Sequence, residues 1–163
     1  MHKLTLNQLP ETLQFVQTRP LMVLTLDVSG PVDIGMTPGH NRKIGQISGG
    51  VFEGDRLRGT VLDGGADWQT VRQDGAWTMD VRVVLRTDDD ALIAMTYQGI
   101  RAGEAEVLKR LPQGGVEPSE YYFRTTPVFE TASEKYGWLN SIITVGIGHR
   151  LPQGPVYSIF EVL

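Results

Sequence analysis

Residues Tyr121–Thr131 read YYFRTTPVFET, an aromatic and β-branched run with one arginine near its centre. Side chains alternate along a strand, so Tyr122, Arg124 and Thr126 share one face while Tyr121, Phe123 and Thr125 share the other. Neither set is plainly a solvent face. That predicts a strand covered on both sides, by a lumen on one and by a helix, loop or partner subunit on the other. An edge strand at a dimer interface would give the same pattern. Trp77–Thr87, WTMDVRVVLRT, reads more simply, with Val81, Val83 and Leu85 on one face and Asp80, Arg82, Val84 and Arg86 on the other.

The rest of the chain has the same texture. Nineteen glycines and nine prolines are spread through it, and they punctuate short runs rich in Val, Ile, Thr and aromatics, which is the signature of an all-β protein. The runs are Leu21–Val28, Lys43–Gly54, Arg56–Gly64, Asp67–Gln73, Trp77–Thr87, Ala91–Arg101, Tyr121–Thr131, Ser141–Arg150 and Val156–Leu163. Asp74–Gly75, Asp88–Asp90 and Leu151–Pro155 are short enough for hairpins, so successive runs are antiparallel neighbours. Helix is confined to the stretch after Pro10, to Gly103–Leu111 and to YGWLN. A set of about eight to ten strands must bury one face and dispose of its edges, which predicts a mostly antiparallel barrel or a two-sheet sandwich. SGG at Ser48–Gly50 reads as a bulge of the kind barrel closure needs.

At 163 residues the chain is the size of one domain, 1–163, with residues 1–20 as an N-terminal arm or cap. A hydrophobic share of 40% and a charged share of 21% fit a globular protein rather than a disordered one. The net charge of −4 lacks the basic footprint that nucleic acid demands, so no nucleic-acid partner is expected. The absence of cysteine removes disulfides, thiolate metal sites and a cysteine nucleophile. No window is apolar enough for a membrane helix and the first residues lack a signal-peptide core, so a cytoplasmic protein with no membrane partner is expected.

His2, His40 and His149 are too scattered for a spaced metal motif, and no metal or cofactor is expected. There is no G-x-S-x-G elbow, and GIGHR lies in a strand run with no helix after it, unlike a dinucleotide loop.

Several motifs in order, TPGHNRKIGQISGGVFEG, RLRGTVLDGGADWQ, DDDALIAMTYQGIR, YYFRTTPVFET, YGWLN with SIITVGIGHR, and VYSIFEVL, resemble the bacterial domain-of-unknown-function family 3237 from about Leu21 to the end. The resemblance implies a small antiparallel β-barrel of calycin-like appearance, often a homodimer or larger homo-oligomer, with no agreed activity.

A buried guanidinium cannot shed its proton and needs an acceptor, so Arg124 marks either an anion site or an internal ion pair with Asp67 or Glu130. Tyr122, roughly 7 Å along the same face, would be a second donor to a carboxylate, phosphate or enolate oxygen. Asp67 and Trp68, where the glycines of GGADWQ enter a strand, are candidates for an acid or base and an aromatic wall; a turn-capping Asp is the alternative. Glu130 is a candidate rim carboxylate beyond Pro127, which is expected to interrupt its strand. Trp138 and Asn140 are candidates for a lid over a cavity, or for plug packing.

Three functions stay open. The first is a barrel binding an aromatic or acidic small molecule near Arg124. The second is a cofactor-independent lyase, isomerase or hydratase using Asp67 or Glu130. The third is a structural or interaction protein in which these residues only specify register.

Overall fold

The computed structural model describes residues 3–163; His2 lies outside the described residues. Period-two alternation is the organising feature. In β6 (Trp77–Thr87) Met79, Val81, Val83 and Leu85 are buried, and in β7 (Leu92–Gly103) Ile93, Met95, Tyr97 and Gly99 are buried. β8 (Tyr121–Glu130) alternates without a fault from Tyr121 to Glu130. Pro127 does not interrupt it, because the ladder from β8 to β9 (Thr144–Leu151) pairs only Arg124 with Ile147 and Thr125 with Gly146, and Pro127 falls beyond it.

The sheet has ten strands, all paired antiparallel, and it closes on itself. β1 (Thr18–Val28) pairs with β3 (Asn41–Glu53) on one side and with β10 (Gly154–Val162) on the other. β2 (Val32–Met36), unforeseen from the sequence, continues β1 along the same edge of β3 after the break at Ser29–Pro31. β4 (Arg58–Val61) and β5 (Gly65–Val71) likewise share the place between β3 and β6. The two extra strands are thus continuations within one eight-strand closed, antiparallel barrel, which carries one short helix, α1 (Ala105–Arg110). With β1–β2 and β4–β5 each taken as one strand, every strand pairs with the next in the chain, and β10 pairs with β1. Closure through β1 and β10 removes most of the sheet's free edge, leaving the outer side of β2 unpaired.

The β1–β3 register slips between Asp27 and Val28, leaving Ser48 as the bulged residue. Beside it Gly50 sits at φ +145°, where a Cβ would collide with the Thr25 carbonyl. Only glycine fits that close approach. The sheet begins at Thr18, so the arm is shorter than residues 1–20; described residues 3–17 carry two 3-10 turns, Leu6–Gln8 and Glu11–Leu13.

One end of the lumen is filled. Leu24, Phe52, Leu85, Ile93, Met95 and Ile159 are almost fully buried there. The 3-10 turn Gly137–Ser141 plugs this end with Leu139, and Glu161 accepts hydrogen bonds from Arg19 and Arg56 to tie β1, β10 and the β3–β4 turn together. The other end, near the start of β6 and of β8, is covered by α1 and the following turn, Leu111–Gln113, and it is not filled.

Candidate functional site

The unfilled end holds a cavity of about 420 Å³. Its walls are largely apolar, with Trp77, Met79 and Phe123 from the strands and Leu108, Leu111 and Pro112 from the cap. Glycines make the room. Gly45 lies opposite Asp67 in the β3–β5 ladder, where a Cβ would sit 3.1 Å from Val28 Cγ1. Gly148 leaves space for the Phe123 ring, which a Cβ there would meet at 2.7 Å.

Asp67 projects inward from β5 and is buried. Its Oδ2 accepts a hydrogen bond from Gln69 Nε2 at 2.6 Å, and its buried Oδ1 has no partner among the described residues. Burial raises its pKa from 3.8 to about 6, opposed by the Gln69 bond and by the field of Arg101.

Arg101 enters the cavity from β7, its guanidinium 4.7 Å from the centre of the Trp77 ring and 5.9 Å from that of Phe123. Its buried Nε has no partner among the described residues, and burial lowers its pKa. Deeper in, Tyr97 donates to Tyr157 at 3.0 Å, and burial holds both phenols well above their ordinary range, hence protonated. Near the β8–β9 seam the Tyr121 hydroxyl accepts from the Arg150 amide at 2.8 Å and lies 2.9 Å from His149 Nδ1.

Of the residues picked from sequence, only Asp67 faces this cavity. Tyr122 and Arg124 do share a face opposite Phe123, but it is the outer one: Tyr122 is 53% exposed, and Arg124 is exposed as well. The placement of Arg124 in the lumen is therefore corrected. Its guanidinium donates to the Phe123 carbonyl at 2.9 Å, lies 4.9 Å from the centre of the Tyr122 ring, and forms no salt bridge among the described residues. Partial solvation and ring stacking suffice for it.

Trp68 follows Asp67 in β5 and so points outward, 51% exposed, under the Arg42 guanidinium. Glu130 is exposed at the far end of β8, about 23 Å along the strand from Phe123. Trp138 and Asn140 belong to the plugged end, not to a lid over the cavity. Trp138 stacks on Arg56 at 3.9 Å, while Asn140 accepts from the Thr131 amide at 2.8 Å and donates to its carbonyl at 2.9 Å. His40 contacts Arg42, far from His149 in sequence. Among the described residues no group of three His, Asp or Glu could hold a metal ion.

Sequence reading missed Arg101, Gln69, Tyr97 and Tyr157. A signal existed: Ile93, Met95, Tyr97, Gly99 and Arg101 share one strand face, which runs from apolar to polar toward the open end.

A closed up-and-down barrel, filled at one end and holding a polar-floored cavity at the other, is the class that the fold and the geometry define. The chain belongs to the family of proteins of unknown function DUF3237, whose model matches residues 16–162. It is 38% identical over 142 residues to a UPF0311 protein of Clostridium acetobutylicum, covering 85% of this chain and 89% of that one. Among solved structures, the conserved protein of unknown function from Rhodopseudomonas palustris superimposes with a TM-score of 0.88 at 32% identity, covering 91% of this chain and 99% of that one. A β-barrel-like protein of Acinetobacter baumannii superimposes with a TM-score of 0.79 at 40% identity, covering 91% and 96%. These relatives fix the fold and the family, and their names state no activity.

Proposed function

We propose that the open end of the lumen binds a small organic molecule of aromatic or acidic character. The observation that carries this reading is the pair of unpartnered buried atoms, Asp67 Oδ1 and Arg101 Nε, lining one cavity. A purely structural Asp–Arg pair would bond to itself. Here no salt bridge joins the two, and each unpaired buried polar group costs about 1–3 kcal/mol. The cavity falls within the size range of small-molecule sites and has the usual apolar walls with a few convergent polar groups.

A thermal-shift screen with aromatic acids, enones, hydroxy acids and phosphorylated metabolites tests it. A ligand at about 100 times its dissociation constant stabilises by about 2.7 kcal/mol, a rise of roughly 5–10 °C at this chain length. Arg101→Met, folded by circular dichroism, loses the shift. If no compound raises the wild type, the reading fails.

A second reading is favoured by one observation, the pKa of Asp67 near 6. A carboxyl that trades its proton near neutrality suits a general acid or base, as a cofactor-independent lyase, isomerase or hydratase needs. Turnover of a bound compound, abolished in Asp67→Asn and titrating near pH 6, is the expected result; turnover that survives that substitution removes the reading.

A further inference from the structure

The open valences of the cavity specify more than a vacant space. Oδ2 of Asp67 is occupied by the Gln69 amide, so the free oxygen, Oδ1, is where the proton resides when the carboxyl is neutral. In that state the cavity presents two donors without partners, Asp67 Oδ1–H and Arg101 Nε–H, and a net positive charge from Arg101 and, at the mouth, Arg150. The complement is a ligand rich in acceptors that carries a single negative charge.

We infer that the lumen takes a small carboxylic acid with an apolar body, and that binding takes up one proton onto Asp67 Oδ1. This rests on the lumen being a binding site. The carboxylate lies against Arg101, and Trp77, Met79, Phe123 and Leu111 receive the apolar body. With the ligand ionised and Asp67 neutral, the charges of the ligand and Arg101 balance, and Arg150 at the half-buried mouth adds a further positive charge that favours an anion. With Asp67 ionised, its partnerless Oδ1 would have no proton to offer the ligand and a second carboxylate would compete for Arg101, which disfavours the complex. The proton comes from solvent, and no covalent bond changes.

The other groups around Asp67 do not supply this proton switch. Arg101 of β7 favours its charge, and Asp80 of β6 acts both ways, its backbone amide favouring the charge and its carboxylate repelling it. Tyr97 and Tyr157 stay protonated, and Gln69 does not titrate. Arg150 of β9 lines the mouth as a fixed charge.

Phenylacetate and its neutral isostere phenylacetamide are the probes, followed by titration calorimetry on the full chain. With Asp67 titrating near pH 6, the competent fraction falls about twentyfold between pH 5.5 and 7.5. Phenylacetate should weaken by that factor, and its heat at pH 7.5 should depend on the ionisation enthalpy of the buffer, as uptake of nearly one proton requires. Asp67→Asn keeps a donor that cannot titrate, so it should bind equally at both pH values and release no buffer-dependent heat. Phenylacetamide binding as tightly as phenylacetate overturns the acid assignment, and a wild-type affinity that is flat with pH overturns the proton uptake; either leaves the lumen site standing. A pH dependence that persists in Asp67→Asn overturns the role of Asp67. If neither probe binds and the thermal-shift screen finds no ligand, the lumen reading falls as well.

Discussion

Asp67 carries its consequences in the folded state before any ligand arrives. Its pKa is raised by burial, so the folded protein holds this proton more tightly than the unfolded chain does. The advantage is complete below about pH 4 and is lost as pH rises toward 6. Asp67→Asn is therefore expected to stabilise the protein by up to about 3 kcal/mol at pH 7.5 and to give little at pH 4. Urea denaturation at the two pH values checks this, and equal effects at both would contradict the buried-carboxyl account. Gly148→Ala tests space rather than charge. A methyl there meets the Phe123 ring at 2.7 Å, so the ring must turn into the cavity, and a loss of roughly 1–3 kcal/mol is expected.

Strand β8 shows how much one element's pattern can and cannot say. Its alternation was legible in YYFRTTPVFET, because the period of two follows from local backbone geometry. Which face was inside was not legible. Both faces carry aromatic and β-branched residues, and the arginine drew attention to the wrong one. Arg124→Met is accordingly expected to change stability by less than about 0.5 kcal/mol and to leave lumen binding intact, as a melting curve with and without ligand would show. The β8–β9 seam is the thin part of the wall, held by the short ladder at Arg124 and Thr125 and, beyond it, by the Thr144 hydroxyl on the Pro127 carbonyl at 2.6 Å. Amides of β9 facing this seam should exchange faster than those between β6 and β7, where the register runs unbroken from Trp77 to Arg86. Equal protection along both ladders would count against the seam.

Over the whole molecule, closure depends on the first strand meeting the last, the most distant pairing in sequence. Thr18–Thr25 against Val156–Val162 forms that joint, and the Glu161 carboxylate locks it by accepting from Arg19 and Arg56. Those two bonds hold the Glu161 pKa below its ordinary value, so their contribution is present at neutral pH and is lost as pH falls through that lowered value. Glu161→Gln should lower the melting temperature at pH 7 and by progressively less as the pH is taken down through the acid range; an identical drop throughout would show that packing, not charge, supports the joint.

Composition, turn residues and strand periodicity determined that this chain makes mostly antiparallel β-structure, a barrel or a two-sheet sandwich, and they singled out Asp67 through the glycines that precede it. Each of those signals is local, acting over a turn or a few residues, so it survives in a linear reading. The tertiary structure alone decided which side of each strand became lumen and which end stayed open. It also brought Arg101, Tyr157 and Asp67 to one cavity and sent Arg124, Trp68, Tyr122 and Glu130 elsewhere. Inside and outside are properties of a closed surface. A strand of alternating faces acquires them only when β1 meets β10 and the far end is filled by the turn at Gly137–Ser141.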